Sequence, residues 1–290
     1  MSAAESVANR ESLINVNDIL PSNFEGDCDI EIPEYAFHPD QWSKAFLRGL
    51  SRLDVEGKNV AEIGVGTGVN VIYLLRTGRP RSIHFSDKDA RLAPLALENI
   101  TKVLSPSEYD GKVFPKTGER DLADWCENFH QKIDLVYACI PQVILPHGSS
   151  INDGDNLAHY YESGKYDSDL HLYGLGLNDV LLAQAREFLQ PGGSAILNLG
   201  GRPGRKKLEN LFRKNGFHPE LIHQEMIAQH TGTSLDSLCA LETATGHDFE
   251  FFADEDGKEP LNALAAEERR ANGIPVFHRI YVYQGIKLSQ

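Results

Sequence analysis

The chain has 290 residues, enough to bury a sizeable core in one large domain or two small ones. Its 28 Lys plus Arg against 42 Asp plus Glu leave a formal charge of −14, which repels phosphate backbones and anionic bilayers and speaks against nucleic acid or membrane as partners. Cys28, Cys126, Cys139 and Cys239 are scattered without CxxC spacing, the opening MSAAESVANRES has no basic-then-apolar signal, and no apolar run approaches membrane-spanning length. These features predict a cytoplasmic protein without a disulfide framework.

Residues 1–34 read as an N-terminal arm whose first nine residues are disordered, with 29–33 extended because Pro33 disfavours helix at Ile32. One domain is expected over 35–290. Pro39-Asp40-Gln41-Trp42 opens a helix with Trp42, Ala45, Phe46 and Leu50 at helical spacing, read either as a lid over a ligand or as plain core packing. Strand and helix then alternate: strand 59–63, a glycine turn, helix 69–75, strand 82–86, helix 90–104, weak strand 112–116, helix 122–129 with Trp125, and strand 133–140 stopped by Pro141. The stretch 143–173 is too long for a plain connector and is taken as an inserted, substrate-side segment. Helix 178–189 is expected to be capped by Asn178 and ended by Pro191-Gly192-Gly193. Strand 194–199, Gly200-Gly201-Arg202-Pro203-Gly204, helix 208–215, strand 218–227 and an alternating last strand 276–284 follow. Residues 231–272 stay ambiguous, strand-like at 249–252 and helix-like at 261–270.

Such alternation implies a doubly wound, Rossmann-like α/β fold: a mostly parallel seven-stranded sheet with an antiparallel last strand and helices on both faces. Ligands of such sheets bind at the carboxyl ends of the strands, where the glycine turn lies.

The turn reads Glu62-Ile63-Gly64-Val65-Gly66-Thr67-Gly68. A dinucleotide fingerprint would need its third glycine at Val69, and a phosphate loop would need Gly-Lys-Ser/Thr. The spacing instead resembles the acidic-x-G-x-G-x-G turn of class I S-adenosyl-L-methionine (SAM) methyltransferases. SAM has no pyrophosphate and carries an ammonium and a sulfonium, so a carboxylate at Glu62 suits it. Asp87, ending the next strand, can accept both ribose hydroxyls, or it can merely cap the helix that follows. Asp121 can take the adenine amine while the Leu122 backbone serves a ring nitrogen. Lys88 and Ile140 complete the expected cofactor set.

Many amino-methylating enzymes of this fold carry Asn/Asp-Pro-Pro-Tyr/Phe after the fourth strand. Here the run is Cys139-Ile140-Pro141-Gln142, with Gln142 a partial substitute for the missing amide. That loss suits a nucleophile with no proton to give up. The runs FHPDQWSKAFLRGL, CIPQV, YGLGL, NLGGRPG, LFRKNGF and HDFEFF resemble the methyltransferase domain of methionine S-methyltransferases, the plant enzymes and their stand-alone bacterial counterparts, over roughly residues 35–283. The resemblance implies methyl transfer from SAM to the thioether sulfur of L-methionine, giving S-methyl-L-methionine and S-adenosylhomocysteine, in the bacterial case towards dimethylsulfoniopropionate.

A thioether needs no general base, so catalysis would rest on alignment, for which about 7–11 kcal/mol is available in principle. Aromatic faces would hold the migrating charge at about 0.5–2 kcal/mol each. Tyr160, Tyr161, Tyr166 and Tyr173 of the insertion are candidates, each also able simply to pack its loop. Tyr160, Tyr173 and Gln142 form the expected catalytic group; Pro141, Gln142, Tyr160, Tyr161, Asn198, Arg202 and His278 form the expected methionine site. Within it, Arg202 would grip the carboxylate or else pair with a nearby acid. No metal site is expected: His218 and His223 fall on opposite faces of a strand. A homo-oligomer is left open. The alternatives are the same fold methylating a small amine or a glutamine side chain, and a SAM-binding regulator without turnover.

Overall fold

In a computed structural model, residues 12–21, 29–129, 132–142, 170–230 and 233–288 are described, without the side chains of 12 and 127–129. The arm forms an antiparallel hairpin, β1 (Ser12–Asn15) with β2 (Asp29–Ile32). Residues 1–9, where disorder was expected, lie outside the described residues. Helix α1 (Gln41–Leu50) is capped by Asp40, whose carboxylate accepts from the N–H of Trp42 at 2.8 Å and of Ser43 at 3.3 Å.

The alternating part supplies β3 (Asn59–Ile63), α2 (Val69–Gly78), β4 (Ser82–Ser86), α3 (Leu92–Val103), the short α4 (Pro106–Tyr109), β5 (Val113–Lys116) and β6 (Ile133–Ala138). Then come α5 (Gly176–Phe188), β7 (Leu189–Gly200), α6 (Arg205–Lys214), β8 (Phe217–Ala228), α7 (Asp236–Thr245), β9 (Phe251–Phe252), β10 (Pro260–Leu261), α8 (Ala263–Ala271) and β11 (Phe277–Lys287).

Strands β5, β4, β3, β6 and β7 lie side by side and parallel, and β11 runs antiparallel between β7 and β8. This is the Rossmann-like class I methyltransferase order. Among the described residues the sheet counts nine strands rather than seven, because the short β9 and β10 extend it beside the start of β11. The strand order reverses between β3 and β6, so the glycine turn and the Cys139–Gln142 run leave the sheet side by side, at the crevice where such folds bind ligands.

The buried strands alternate between two cores. Val60 points to the face covered by α1, α2, α3 and the hairpin, with Phe46, Tyr73, Phe85, Ile30 and Ile32. Ala61 and Ile63 point to the face covered by α5 and α6, with Trp125, Leu181, Phe188 and Phe212. Both faces are sealed, which is why β3 and β6 are written as apolar runs rather than as alternating ones.

Several local expectations change. Helix α5 begins at Gly176, so Asn178 is a buried residue inside it and not its cap; burying Leu175 and Leu177 outweighs the capping preference of an amide. Pro191-Gly192-Gly193 falls within β7, whose pairing with β6 starts at Leu189 and slips between Ile133 and Leu135, forming an irregularity. Residues Asp124–Phe129 form a 3-10 helix. The ambiguous region contains α7 as well as the strand and helix read there. Of the insertion, 143–169 lies outside the described residues and His171–Tyr173 is a 3-10 turn. No helix among the described residues is long and apolar enough to cross a membrane.

Candidate active site

The turn after β3 is held in a shape that only glycine adopts easily. Gly64, Gly66 and Gly68 have φ of 76°, 54° and 84°. The N–H groups of Gly64 and Val65 both donate to the carbonyl of Ser86 at 3.0 Å, folding the turn over the end of β4. A Cβ on Gly64 would come within 3.0 Å of Ile140 and one on Gly68 within 3.0 Å of Ala96, whereas one on Gly66 would face open space. The loop is thus packed behind and open in front.

Asp87 braces it. Its Oδ2 accepts from the Gly66 N–H at 2.9 Å and its Oδ1 from the Asp89 N–H at 3.1 Å. Burial raises its pKa, and these backbone donors partly oppose the rise. The Asp87 carbonyl accepts from the Arg120 N–H at 3.1 Å, which draws Asp121 and Leu122 alongside. Leu122 takes a left-handed φ of 53°, unusual for a branched residue and held by its buried side chain. Lys88 forms an ion pair with Glu119 at 2.8 Å.

Glu62 is 1% exposed. Its Oε1 accepts from Asn70 Nδ2 at 2.7 Å and its Oε2 from the Tyr137 hydroxyl at 2.9 Å. Burial pushes this carboxyl up to about 8 against those two hydrogen bonds, and Asp87 pushes the same way. Neither Glu62 nor Asp87 is eased by a lysine or arginine among the described residues. The Asp87 carboxylate beside an open glycine turn suits a ligand that brings hydrogen-bond donors, and SAM, with its ribose hydroxyls, fits.

A second group of polar side chains gathers where β6, β7 and β11 end or begin at the same edge. The Gln142 amide pairs with the Gly200 backbone, accepting from its N–H at 2.9 Å and donating to its carbonyl at 3.2 Å. The amide expected to reach a substrate therefore staples the Ile140–Pro141 turn to β7. Trp42 presses its indole against Gly200 so closely that a Cβ there would lie 2.7 Å from the ring. Asn198 donates to the Trp42 carbonyl at 3.0 Å and to Cys139 Sγ at 3.3 Å, while its Oδ1 is buried with no partner. The His278 ring sits 5.8 Å from that of Trp42, is 2% exposed, and has both nitrogens without hydrogen-bond partners. Burial, then the charge of Arg202, lowers its pKa well below the usual value, so it is neutral.

Arg202 is desolvated enough for burial to lower its guanidinium to about 10. Among the described residues it forms no ion pair, so the expected alternative of a structural acid partner is not what the structure displays. The thiol of Cys139 is pushed up to about 12 by burial and offers no thiolate.

Tyr173 sits in the turn ahead of α5. Lys207 places its ammonium 3.9 Å over the Tyr173 ring, and His247 and Phe249 pack at 4.8 and 6.1 Å. A cation of the protein itself thus already lies over one face of this ring. Tyr160, Tyr161 and Tyr166 lie outside the described residues. Trp42 is the member that sequence reasoning left undecided. Its signal was an aromatic residue in the first turn of a capped helix just ahead of the glycine-turn unit.

No family model matches the chain. Among curated proteins it is 29% identical over 278 residues to the methionine S-methyltransferase of Zea mays, covering 88% of this chain and 25% of that one. It is 26% identical over 298 residues to the Arabidopsis thaliana methionine S-methyltransferase, covering 93% and 28%. The chain is similar to methionine S-methyltransferases. It spans about a quarter of the length of these relatives. Among solved structures, M. jannaschii TYW2 in complex with AdoMet superposes with a TM-score of 0.47 at 13% identity, covering 98% of this chain and 90% of that one. Precorrin-6y C5,15-methyltransferase from Geobacter metallireducens GS-15 gives 0.44 at 12%, covering 87% and 94%. Neither value bears on ligand or substrate.

Proposed function

We propose that the chain is a SAM-dependent methyltransferase acting on the thioether sulfur of L-methionine. The observation that carries this reading is the orphaned set at the β7–β11 edge, Asn198 Oδ1 and both nitrogens of His278 beside Trp42, with the desolvated Arg202 guanidinium close enough to lower the pKa of His278. Buried polar atoms without partners are rare and costly, and they point to a ligand that supplies the missing bonds. A free amino acid does so, its carboxylate on Arg202 and its ammonium on Asn198 Oδ1. The likeness to methionine S-methyltransferases favours methionine as that amino acid.

The cofactor would supply an electrophilic methyl group on a sulfonium. Asp87 has lone pairs beyond the two used on Gly66 and Asp89 and would take the ribose hydroxyls. Glu62, tied to Asn70 and Tyr137, would hold the strand end and the start of α2 in place behind the cofactor, and the backbone at Asp121 and Leu122 would serve the adenine. A thioether offers a lone pair and has no proton to give up, so the chain would need to supply no general base. The site answers with alignment and exclusion of water: His278 is a weak base, Cys139 is a thiol, and Trp42 offers an aromatic face to the charge that appears on the new sulfonium.

The test is incubation with SAM and L-methionine, with S-methyl-L-methionine and S-adenosylhomocysteine read by mass spectrometry. Transfer to a small amine or to glutamine, with none to methionine, would replace the acceptor. SAM binding without turnover on any acceptor would make the protein a sensor. We further propose, on the resemblance to the stand-alone bacterial enzymes, that the reaction takes place in the cytoplasm and feeds dimethylsulfoniopropionate synthesis. Deleting the gene should then abolish that compound in its host.

A further inference from the structure

Asn99, in the middle of α3, is fully buried and ties two segments far apart in sequence. Its Oδ1 accepts from the Glu31 N–H at 2.9 Å. Its Nδ2 donates to the Glu31 carbonyl at 3.0 Å and to the Thr67 carbonyl at 3.0 Å. A primary amide presents the same donor and acceptor as a peptide group. Asn99 therefore closes the outer edge of β2 as a third strand would, while β1 pairs with the other edge through Leu13 opposite Glu31. The remaining N–H reaches into the glycine turn itself, between Gly66 and Gly68.

The Asn99 side chain is wholly buried, its bond to Thr67 fully and its two bonds to Glu31 partly shielded from water, so moving either segment strands a polar atom of the amide in the core. Two further contacts join the same regions, the Lys102–Glu31 ion pair and the Arg91 guanidinium 3.9 Å over the Tyr35 ring. They are largely exposed and contribute little. The amide is the link.

We propose that Asn99 is a positioning residue that couples docking of the N-terminal hairpin to occupancy of the glycine turn by cofactor. This rests on the turn being the cofactor site. The arm is then part of the site's working structure: cofactor binding steadies Thr67 and through Asn99 steadies β2, and by reciprocity a docked β2 tightens cofactor binding.

The first test needs no variant. Hydrogen exchange of the Glu31 amide, which donates directly to Asn99, should slow at least about fivefold when S-adenosylhomocysteine is added. Next, Asn99→Asp and Asn99→Leu should each raise the calorimetric Kd for S-adenosylhomocysteine about five- to tenfold, the loss of one or two such bonds. They should leave kcat at saturating cofactor within about twofold and abolish the response of Glu31. Lys102→Ala should change none of these. Wild-type protein that binds the nucleoside with no change at Glu31, or folded Asn99 variants with wild-type Kd, would overturn the coupling. Failure of the wild type to bind at all would instead overturn the cofactor assignment beneath it.

Discussion

Replacing Glu62 by glutamine should make the protein less sensitive to alkali. The carboxyl is pushed from its ordinary value of 4.5 up to about 8 in the fold, because burial outweighs its bonds to Asn70 and Tyr137. Between those values the native state keeps a proton that the unfolded chain has released, so the unfolded state binds fewer protons and stability falls as pH rises. The slope from this one group is about 1.4 kcal/mol per pH unit, which amounts to about 3 kcal/mol by pH 7 and levels off above pH 8. Glutamine has the same shape, can accept from Asn70 and can donate to the Tyr137 oxygen, and does not ionise. Urea unfolding of wild type and Glu62→Gln at pH 5.5, 6.5, 7.5 and 8 should therefore give two curves that converge at the acid end. They should separate by about 3 kcal/mol at pH 7.5, allowing about 1 kcal/mol for an imperfect hydrogen bond. Asp87, also raised by burial, contributes with the same sign in both proteins and cancels in the difference. Parallel curves over that range would refute the reasoning.

The remaining predictions concern the two halves of the site. Asp87→Ala removes a brace of Gly66 together with the ribose acceptor and should weaken SAM binding about 100-fold by calorimetry; an unchanged affinity would free Asp87 of that role. Arg202→Ala should raise the methionine KM at least about tenfold with SAM affinity unchanged and with no loss in Tm, since no ion pair is broken. A lowered Tm with a normal KM would make it a structural arginine. Gly200→Ala pushes a methyl group to within 2.7 Å of the Trp42 ring and should destabilise the fold by about 1–3 kcal/mol, shift tryptophan fluorescence and raise the methionine KM. A wild-type spectrum and KM would place the indole elsewhere.

The parts of the fold that were legible in the sequence are those fixed by near neighbours. Strands 59–63 and 82–86 match β3 and β4 to the residue, because a buried parallel strand is a short apolar run and the next residues, Gly64 and Asp87, punctuate it. The glycine spacing and the acid at 87 likewise announced a ligand-binding turn. What stayed hidden depends on partners far along the chain. Nothing local tells that the Gln142 amide will meet the backbone of Gly200, or that Lys207 will cover the Tyr173 ring. Asn178 looked like a cap because its residue type favours one, but the leucines around it are drawn into the core and start the helix earlier. Trp42 could be read as lid or core until β7 and β11 brought Asn198 and His278 beside it.

The reversed direction of β11 has a consequence for how such a site diversifies. Because β8 runs parallel to β7 and β11 runs against both, β8 finishes and β11 starts at the same edge of the sheet, the edge that carries the glycine turn. The whole excursion from residue 229 to residue 276, with α7, β9, β10 and α8, therefore leaves and rejoins the sheet at that edge, where the Phe251 ring lies 6.4 Å from that of His278. It is anchored as well as hung: Phe252 pairs with Phe277 of β11, and Leu235, Phe249 and Phe251 sit in the core, so an exchange that keeps those anchors alters what surrounds His278 while the parallel strands stay as they are.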